Sequence, residues 1–256
     1  MAAVLGAFSI GKVWDSGYVH GSRIQQKFYS TIKAKNIRFG KPRAGFSETM
    51  GQAKIDVLAP GKALLSGTES DANNNSLVMR ISYGKTSFLL TGDMEGEERA
   101  TVPRWPTTTV LKVAHHGSRN GTDLTLARAV SPSVAVVSCG AGNSYGHPHQ
   151  EALQALQAVG AKVLRTDQVG TVVLTTDGKK LSCTTLSKAV AHARLTPTLQ
   201  QQSAASNQTA YIGNRNSHVF HLPSCSSLPA EKNRVYFDSR EAAIEAGYRP
   251  CKRCNP

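Results

Sequence analysis

Two apolar runs in this chain end abruptly in side chains that can hold a metal or move a proton. Phe88-Leu-Leu-Thr-Gly-Asp93 closes on a carboxylate, and Leu111-Lys-Val-Ala-His115-His116-Gly-Ser118 closes on paired imidazoles. A third group, Tyr145-Gly-His147-Pro-His149, opens a helix-like segment. One carboxylate with several imidazoles is hard-to-borderline ligation, suited to zinc or manganese and to hydrolysis. In a two-metal hydrolase a carboxylate bridges the ions and histidines complete each sphere, and Asp93 suits that bridge. His115 and His116 should alternate across a strand terminus, so that one faces metal and the other substrate. His147 or His149 could orient or protonate a leaving phosphate oxygen. Gly117-Ser118 would let backbone approach a phosphate closely. Singly, each feature is ordinary: a turn aspartate, a structural His-His pair, a capped helix start. Their conjunction in this order carries the reading.

A second set lies in the tail. His221-x3-Cys225 precedes Cys251-x2-Cys254, with a helix-like Ser239 to Gly247 between them. Four soft or borderline donors in two pairs form the pattern of a closed tetrahedral zinc site. So short a segment cannot bury much of a core, and a metal staple explains how it folds. Of the five cysteines, the remaining two, Cys139 and Cys183, sit alone at strand-like positions, as buried free thiols do.

The elements that must position these groups alternate strand and helix. Ser22 to Asn36 has helical spacing, with Ile24, Phe28 and Ile32 on one face. Tyr83-Gly84-Lys85 and Asp177-Gly178 mark hairpins. Val110–Ala114 and Val134–Ser138 read as strands, and Gln150 to Val159 as a helix closed by Gly160. Hairpins mixed with helical crossovers predict a mixed α/β sheet over residues 1–187. Residues 188–209 are polar and low in complexity, which predicts a flexible linker. A compact module is expected over 210–256.

The net charge of +13 favours polyanions, nucleic acid first. No apolar run is long enough to span a membrane. The apolar start, Met1 to Ile10, lacks the basic flank and small-residue exit of a signal peptide and reads as a first helix.

Two family resemblances follow from these residues. Tyr211 to Cys225 and Gly247-Tyr-Arg-Pro-Cys251-Lys-Arg-Cys254-Asn-Pro256 resemble the zinc-binding domain of the Ada DNA-repair family. That family uses four cysteines, one of which accepts methyl groups from DNA phosphotriesters, and His221 stands in that place here. An imidazole is not a thiolate nucleophile, so the resemblance implies a Cys3His zinc module of His221, Cys225, Cys251 and Cys254 without methyl transfer. Arg215, Arg234, Lys252 and Arg253 lie near it for sequence-independent contact with DNA backbone.

Residues 1–186 resemble the metallo-β-lactamase-fold domain of ComEC-type competence proteins, through Val13-Trp-Asp-Ser-Gly17, Asn73-Asn-Asn-Ser-Leu77, Phe88 to Asp93, Leu111 to Ser118 and Tyr145 to His149. This implies an αββα architecture and metal-dependent phosphodiester hydrolysis linked to DNA uptake. It makes Asp93 the metal bridge, His116 a ligand, and His115 and His147 substrate-side or acid–base groups, with one or two zinc or manganese ions. Asn75 and Ser76 stand where many relatives carry a further ligand histidine. The family's His-x-His-x-Asp-His motif is absent from this sequence, and Met1 is expected to be internal to a longer protein. Two other readings stand beside this one. One is a metallohydrolase of a small-molecule ester; the other is a non-catalytic DNA-binding protein.

Overall fold

The computed structural model describes residues 1–186, 211–237 and 240–254. The expected linker over 188–209 lies outside the described residues. The chain divides into two compact units, Met1–Pro197 and Thr198–Pro256.

The first unit is built on one seven-stranded sheet in the order β3-β4-β5-β6-β7-β8-β9. Its strands are β3 (Ser47–Met50), β4 (Ala53–Ala59), β5 (Val78–Tyr83), β6 (Thr86–Leu90), β7 (Val110–Lys112), β8 (Val134–Val137) and β9 (Lys162–Arg165). β3 to β6 run antiparallel, the β5–β6 turn falling at Gly84-Lys85, and β6 to β9 run parallel. The parallel half needs crossovers. These are α3 (Gly96–Thr101), α4 (Leu124–Val130) and α5 (Gln150–Gln157). Alternation along the strands sends Leu111, Val113, Ala135 and Val137 to one face, where Leu126, Ala127, Val130 and Leu156 of α4 and α5 cover them. These side chains are essentially dry, and each large one contributes about 1.5–3 kcal/mol by leaving water. The mixed α/β sheet expected from the hairpins and crossovers is therefore present.

Two smaller pairs complete the unit. β1 (Lys12–Trp14) pairs in parallel with β2 (Arg38–Gly40), bracketing α2 (Arg23–Ala34). Ser22 caps α2 by accepting from Gln25 N–H. α1 (Ala2–Ala7) brings buried Leu5 beside α2. Ile32 of α2 is buried, but Ile24, expected on the same inner face, is 79% exposed. β10 (Thr171–Thr176) and β11 (Leu181–Leu186) form an antiparallel hairpin after the short α6 (Thr166–Val169). Cys183, expected to be buried, is exposed on β11, which pairs with β10 in a two-stranded sheet.

The second unit holds a four-stranded sheet in the order β14-β12-β13-β15. Its strands are β12 (Tyr211–Asn214), β13 (Val219–His221), β14 (Arg234–Phe237) and β15 (Arg249–Pro250), with α7 (Arg240–Glu245) against them. Its core is Phe220, Phe237 and Ala243, with Tyr211 and Tyr248 at the margin. Gly213 is needed there, because a Cβ would lie 2.6 Å from the Phe237 ring and 2.8 Å from Tyr248. Among the described residues this is a small core, in keeping with a metal staple.

Candidate active site and metal centre

The site residues of the first unit gather beyond the carboxyl ends of the parallel strands β6, β7 and β8. That is where open α/β sheets bind ligands. Asp93 follows β6, and its Oδ1 lies 3.4 Å from Nε2 of His116. Both side chains are nearly half exposed, at 44% and 47%. His116 Nδ1 lies 2.6 Å from the Ser138 carbonyl at the end of β8. A carbonyl only accepts, so Nδ1 carries a proton, which leaves Nε2, on the Asp93 side, as the ring nitrogen available to a metal. Two donors each about 2.1 Å from a tetrahedral ion are about 3.4 Å apart. The observed separation thus fits one ion shared by Asp93 and His116.

The sequence placed the two histidines on alternate faces of a strand end. The structure corrects this. β7 stops at Lys112, and both residues lie in a 3-10 turn, Ala114–Gly117, with φ of 45° and 55°. Left-handed φ at non-glycine residues costs about 1–3 kcal/mol each and persists only where surroundings impose it. Gly117 is required directly after them, because a Cβ there would meet the Pro148 Cβ at 2.5 Å. The turn sends His115 away from Asp93 and toward Glu95, whose Oε1 is 3.0 Å from His115 Nδ1. The approach is not aligned as a hydrogen bond, and Nδ1 is buried with no such partner.

His147 joins this group, its ring centroid 5.4 Å from that of His115 and 5.7 Å from the stacked ring of Tyr145. Burial, then the neighbouring His149, His115 and His116, hold its pKa below the usual imidazole value. His149 is differently engaged. Its Nδ1 accepts from Arg119 N–H at 3.1 Å, and it is the N-cap residue of α5 without a side-chain cap bond. The cleft beside His116 and His147 measures about 310 Å³ and is also lined by Ser138, Cys139, Asn143 and Tyr145.

Behind Asp93 runs a polar relay that the sequence did not reveal. Asp93 N–H donates to Ser76 Oγ at 3.0 Å, and Ser76 N–H donates to Glu98 Oε2 at 3.0 Å. Glu98 N–H donates to Asn74 Oδ1, while Asn73 and Asn74 amides donate to Glu95. Glu98 is 1% exposed, and burial pushes its pKa up to about 8 against the opposing Ser76 bond. Asn75, which with Ser76 stands where the resemblance puts a further ligand histidine, has both amide atoms committed elsewhere: it accepts from Leu65 N–H and donates to the Leu65 and Asp71 carbonyls. It braces a loop. Glu95 follows Asp93 by two residues, the one local signal that could have marked it.

In the second unit, His221, Cys225, Cys251 and Cys254 place one ligand atom each within 4.8 Å of all the others. His221 Nδ1 is 3.4 Å from Cys225 Sγ, close to the roughly 3.6 Å expected across a tetrahedral zinc. His221, Cys225 and Cys251 are buried. Leu222 N–H donates to Cys254 Sγ and Arg253 N–H to Cys251 Sγ, both at 3.4 Å. Backbone donors, with Cys254 and Arg253 foremost, hold the Cys251 thiol below its usual pKa. Thiolate is the metal-binding form. The chemistry and spacing fit a Cys3His zinc site.

Among the described residues, no helix is long and apolar enough to cross a membrane. The family model for the metal binding domain of Ada matches residues 195–256. Over 54 residues, 21% of this chain and 26% of the relative, the chain is 39% identical to the bifunctional transcriptional activator/DNA repair enzyme AdaA of Bacillus subtilis (strain 168). Over 150 residues it is 45% identical to ComE operon protein 3 of Bacillus subtilis (strain 168), which covers 57% of this chain and 19% of that protein. Competence protein ComA of Neisseria gonorrhoeae is 36% identical over 104 residues, 39% of this chain and 15% of the relative. The chain thus spans less than a fifth of the length of these two competence proteins. It joins a region similar to ComEC-type competence proteins to one that matches the metal binding domain of Ada.

Proposed function

We propose that the first unit belongs to a metal-dependent hydrolase of phosphodiester bonds in DNA, linked to competence, and that the second is a zinc module contacting DNA backbone. The observation that carries the hydrolase reading is the Asp93–His116 pair, with His116 fixed by Ser138 so that its free nitrogen faces the carboxylate. Asp93 and His116 would hold zinc or manganese, and such an ion supplies Lewis-acid polarisation of the phosphoryl oxygen. The remaining roles belong to the chain itself. Ser76 fixes the Asp93 backbone, and Glu98 fixes Ser76. His147, uncharged at neutral pH because of its lowered pKa, can accept a proton from the attacking group. His115, held beside Glu95 and next to the His147 ring, would serve the substrate side. The net charge of +13 draws the polyanion.

The test is plasmid DNA incubated with the full chain and manganese or zinc. Cleavage should occur and fall at least about a hundredfold in Asp93→Asn, the scale of losing a principal electrostatic element. Plasmid bound with a steep salt dependence but left uncut with either ion overturns the hydrolase reading in favour of a DNA-binding protein. Preferential turnover of small esters overturns the DNA assignment.

A further inference from the structure

Away from the His116 cleft, three surface clefts join end to end. The first, about 410 Å³, lies around Trp14, Lys41, Phe46 and Lys62. The second, about 520 Å³, shares Ala44 and Phe46 with it and extends to Arg80 and Arg104. The third, about 740 Å³, shares Arg80 and Arg104 with the second and ends at Trp105. None of their lining residues lines the His116 cleft. Each volume falls in the roughly 300–1,000 Å³ range that accommodates organic ligands.

Charge and aromatic surface are interleaved along this path. Lys41, Lys62 and Arg104 are exposed and make no ion pair among the described residues, while Arg80 stands opposite Asp56 in the β4–β5 register and its charge helps hold that carboxyl below its usual pKa. Arg80 Nε is buried with no hydrogen-bond partner. One acid, Asp56, lines the path, and Lys54 at 2.7 Å and Ser47 already engage it. Phe46 is 40% exposed and packs edge-on against Trp14, 5.5 Å between centroids. Gly40 gives Trp14 its room, since a Cβ would lie 3.1 Å from the indole. The chain has two tryptophans, and both line this groove.

Cations spaced along a groove suit a run of phosphates, and rings between them suit stacked bases. A duplex buries its base faces and could use only the charges. We propose that the groove from Trp14 to Trp105 binds single-stranded DNA, with phosphates on Lys41, Lys62, Arg80 and Arg104 and bases against Phe46 and the two tryptophans. This surface would hold a strand apart from the hydrolytic centre. It rests on the reading of DNA as the substrate and adds where an unpaired strand would lie.

The test is the full chain titrated with a fluorescent oligo(dT) of about twelve nucleotides, within the usual span of single-strand sites. Binding should be saturable and should quench tryptophan emission. Arg80→Gln/Arg104→Gln should weaken it at least tenfold. Losing two phosphate contacts should also make the log K against log salt slope shallower by about 1.4. Lys62→Gln/Arg104→Gln, both exposed, gives the same answer should the partly buried Arg80 be needed for folding. Phe46→Ala should weaken oligo(dT) but not inorganic polyphosphate. Unchanged affinity in both charge variants, or binding that leaves tryptophan emission unmoved, overturns the groove. So does equal competition by duplex DNA, polyphosphate or oligo(rU). Asp93→Asn separates the two proposals. It should abolish plasmid cleavage and leave oligo(dT) affinity unchanged. Groove binding without any cleavage defeats the hydrolase reading alone, and cleavage with unaltered groove variants defeats the groove alone.

Discussion

The two metal-capable regions of this molecule use similar donors to opposite ends. In the tail, His221, Cys225, Cys251 and Cys254 converge within 4.8 Å, mostly buried, beside a small core. In the first unit, Asp93 and His116 face one another across 3.4 Å beside an open cleft, each nearly half exposed, on a sheet whose core is complete without them. A structural site closes its coordination sphere and supplies folding energy; a catalytic site keeps positions open for water and substrate. The contrast predicts that metal loss should unfold one region and merely disarm the other.

The largest effect should come from Cys251→Ser. Structural zinc in small modules is worth about 10–16 kcal/mol near neutral pH. Zinc should be lost and the packing of Phe220 and Tyr248 should disappear from NMR spectra, while the unfolding of residues 1–186 stays unchanged. Retention of zinc and of those signals would break the contrast. His221→Cys, which restores a fourth thiolate, should keep both.

Next is the pH dependence of the first unit. The folded Glu98 pKa is about 8, against an ordinary 4.5. Below about pH 4.5 both folded and unfolded states hold the proton. Between 4.5 and 8 only the unfolded chain ionises, so stability falls as pH rises and levels off above about 8. One titrating group gives a slope of at most about 1.4 kcal/mol per pH unit. Denaturant titrations of the first unit across that range should show the decline, and Glu98→Gln should flatten it. An equal slope in the variant would remove Glu98 as the cause.

Asp93→Asn should then cost at least a hundredfold in plasmid cleavage, about 2.7 kcal/mol. As a half-exposed residue outside the core, it should move the melting temperature little. A large loss of stability would make Asp93 structural, like the tail ligands. The smallest effect should be Ser76→Ala, which leaves the Asp93 N–H without its acceptor at a cost of about 1–3 kcal/mol. Its cleavage should fall without a change in zinc content. Unaltered cleavage would show that Asp93 needs no support from behind.

Much of this was legible in the chain. The runs ending in Asp93 and His115-His116 did mark strands, β6 and β7, because burial on a parallel sheet writes a local apolar signal. The Cys251-x2-Cys254 spacing likewise marked a metal module, since ligand geometry restricts short spacings. Less was legible where a side chain's fate depended on distant packing. Asn75 shares a local sequence with Asn74 and Ser76, yet it braces the Leu65 loop while Ser76 meets Asp93. Ile24 fits the apolar face of α2 and still lies in solvent.

By itself, then, the sequence determined the order of elements, the donors and the separate tail, all properties of local pattern and spacing. Only the tertiary structure decided which histidine meets Asp93, through the left-handed turn at His115 and His116 and the Ser138 carbonyl 22 residues on. It alone joined Trp14, Phe46, Arg80 and Trp105 into one groove. The physical reason is the same in both cases. Hydrogen bonds and clefts between residues remote in the chain leave no periodic trace in it, and they exist only once the sheet has brought its strands into register.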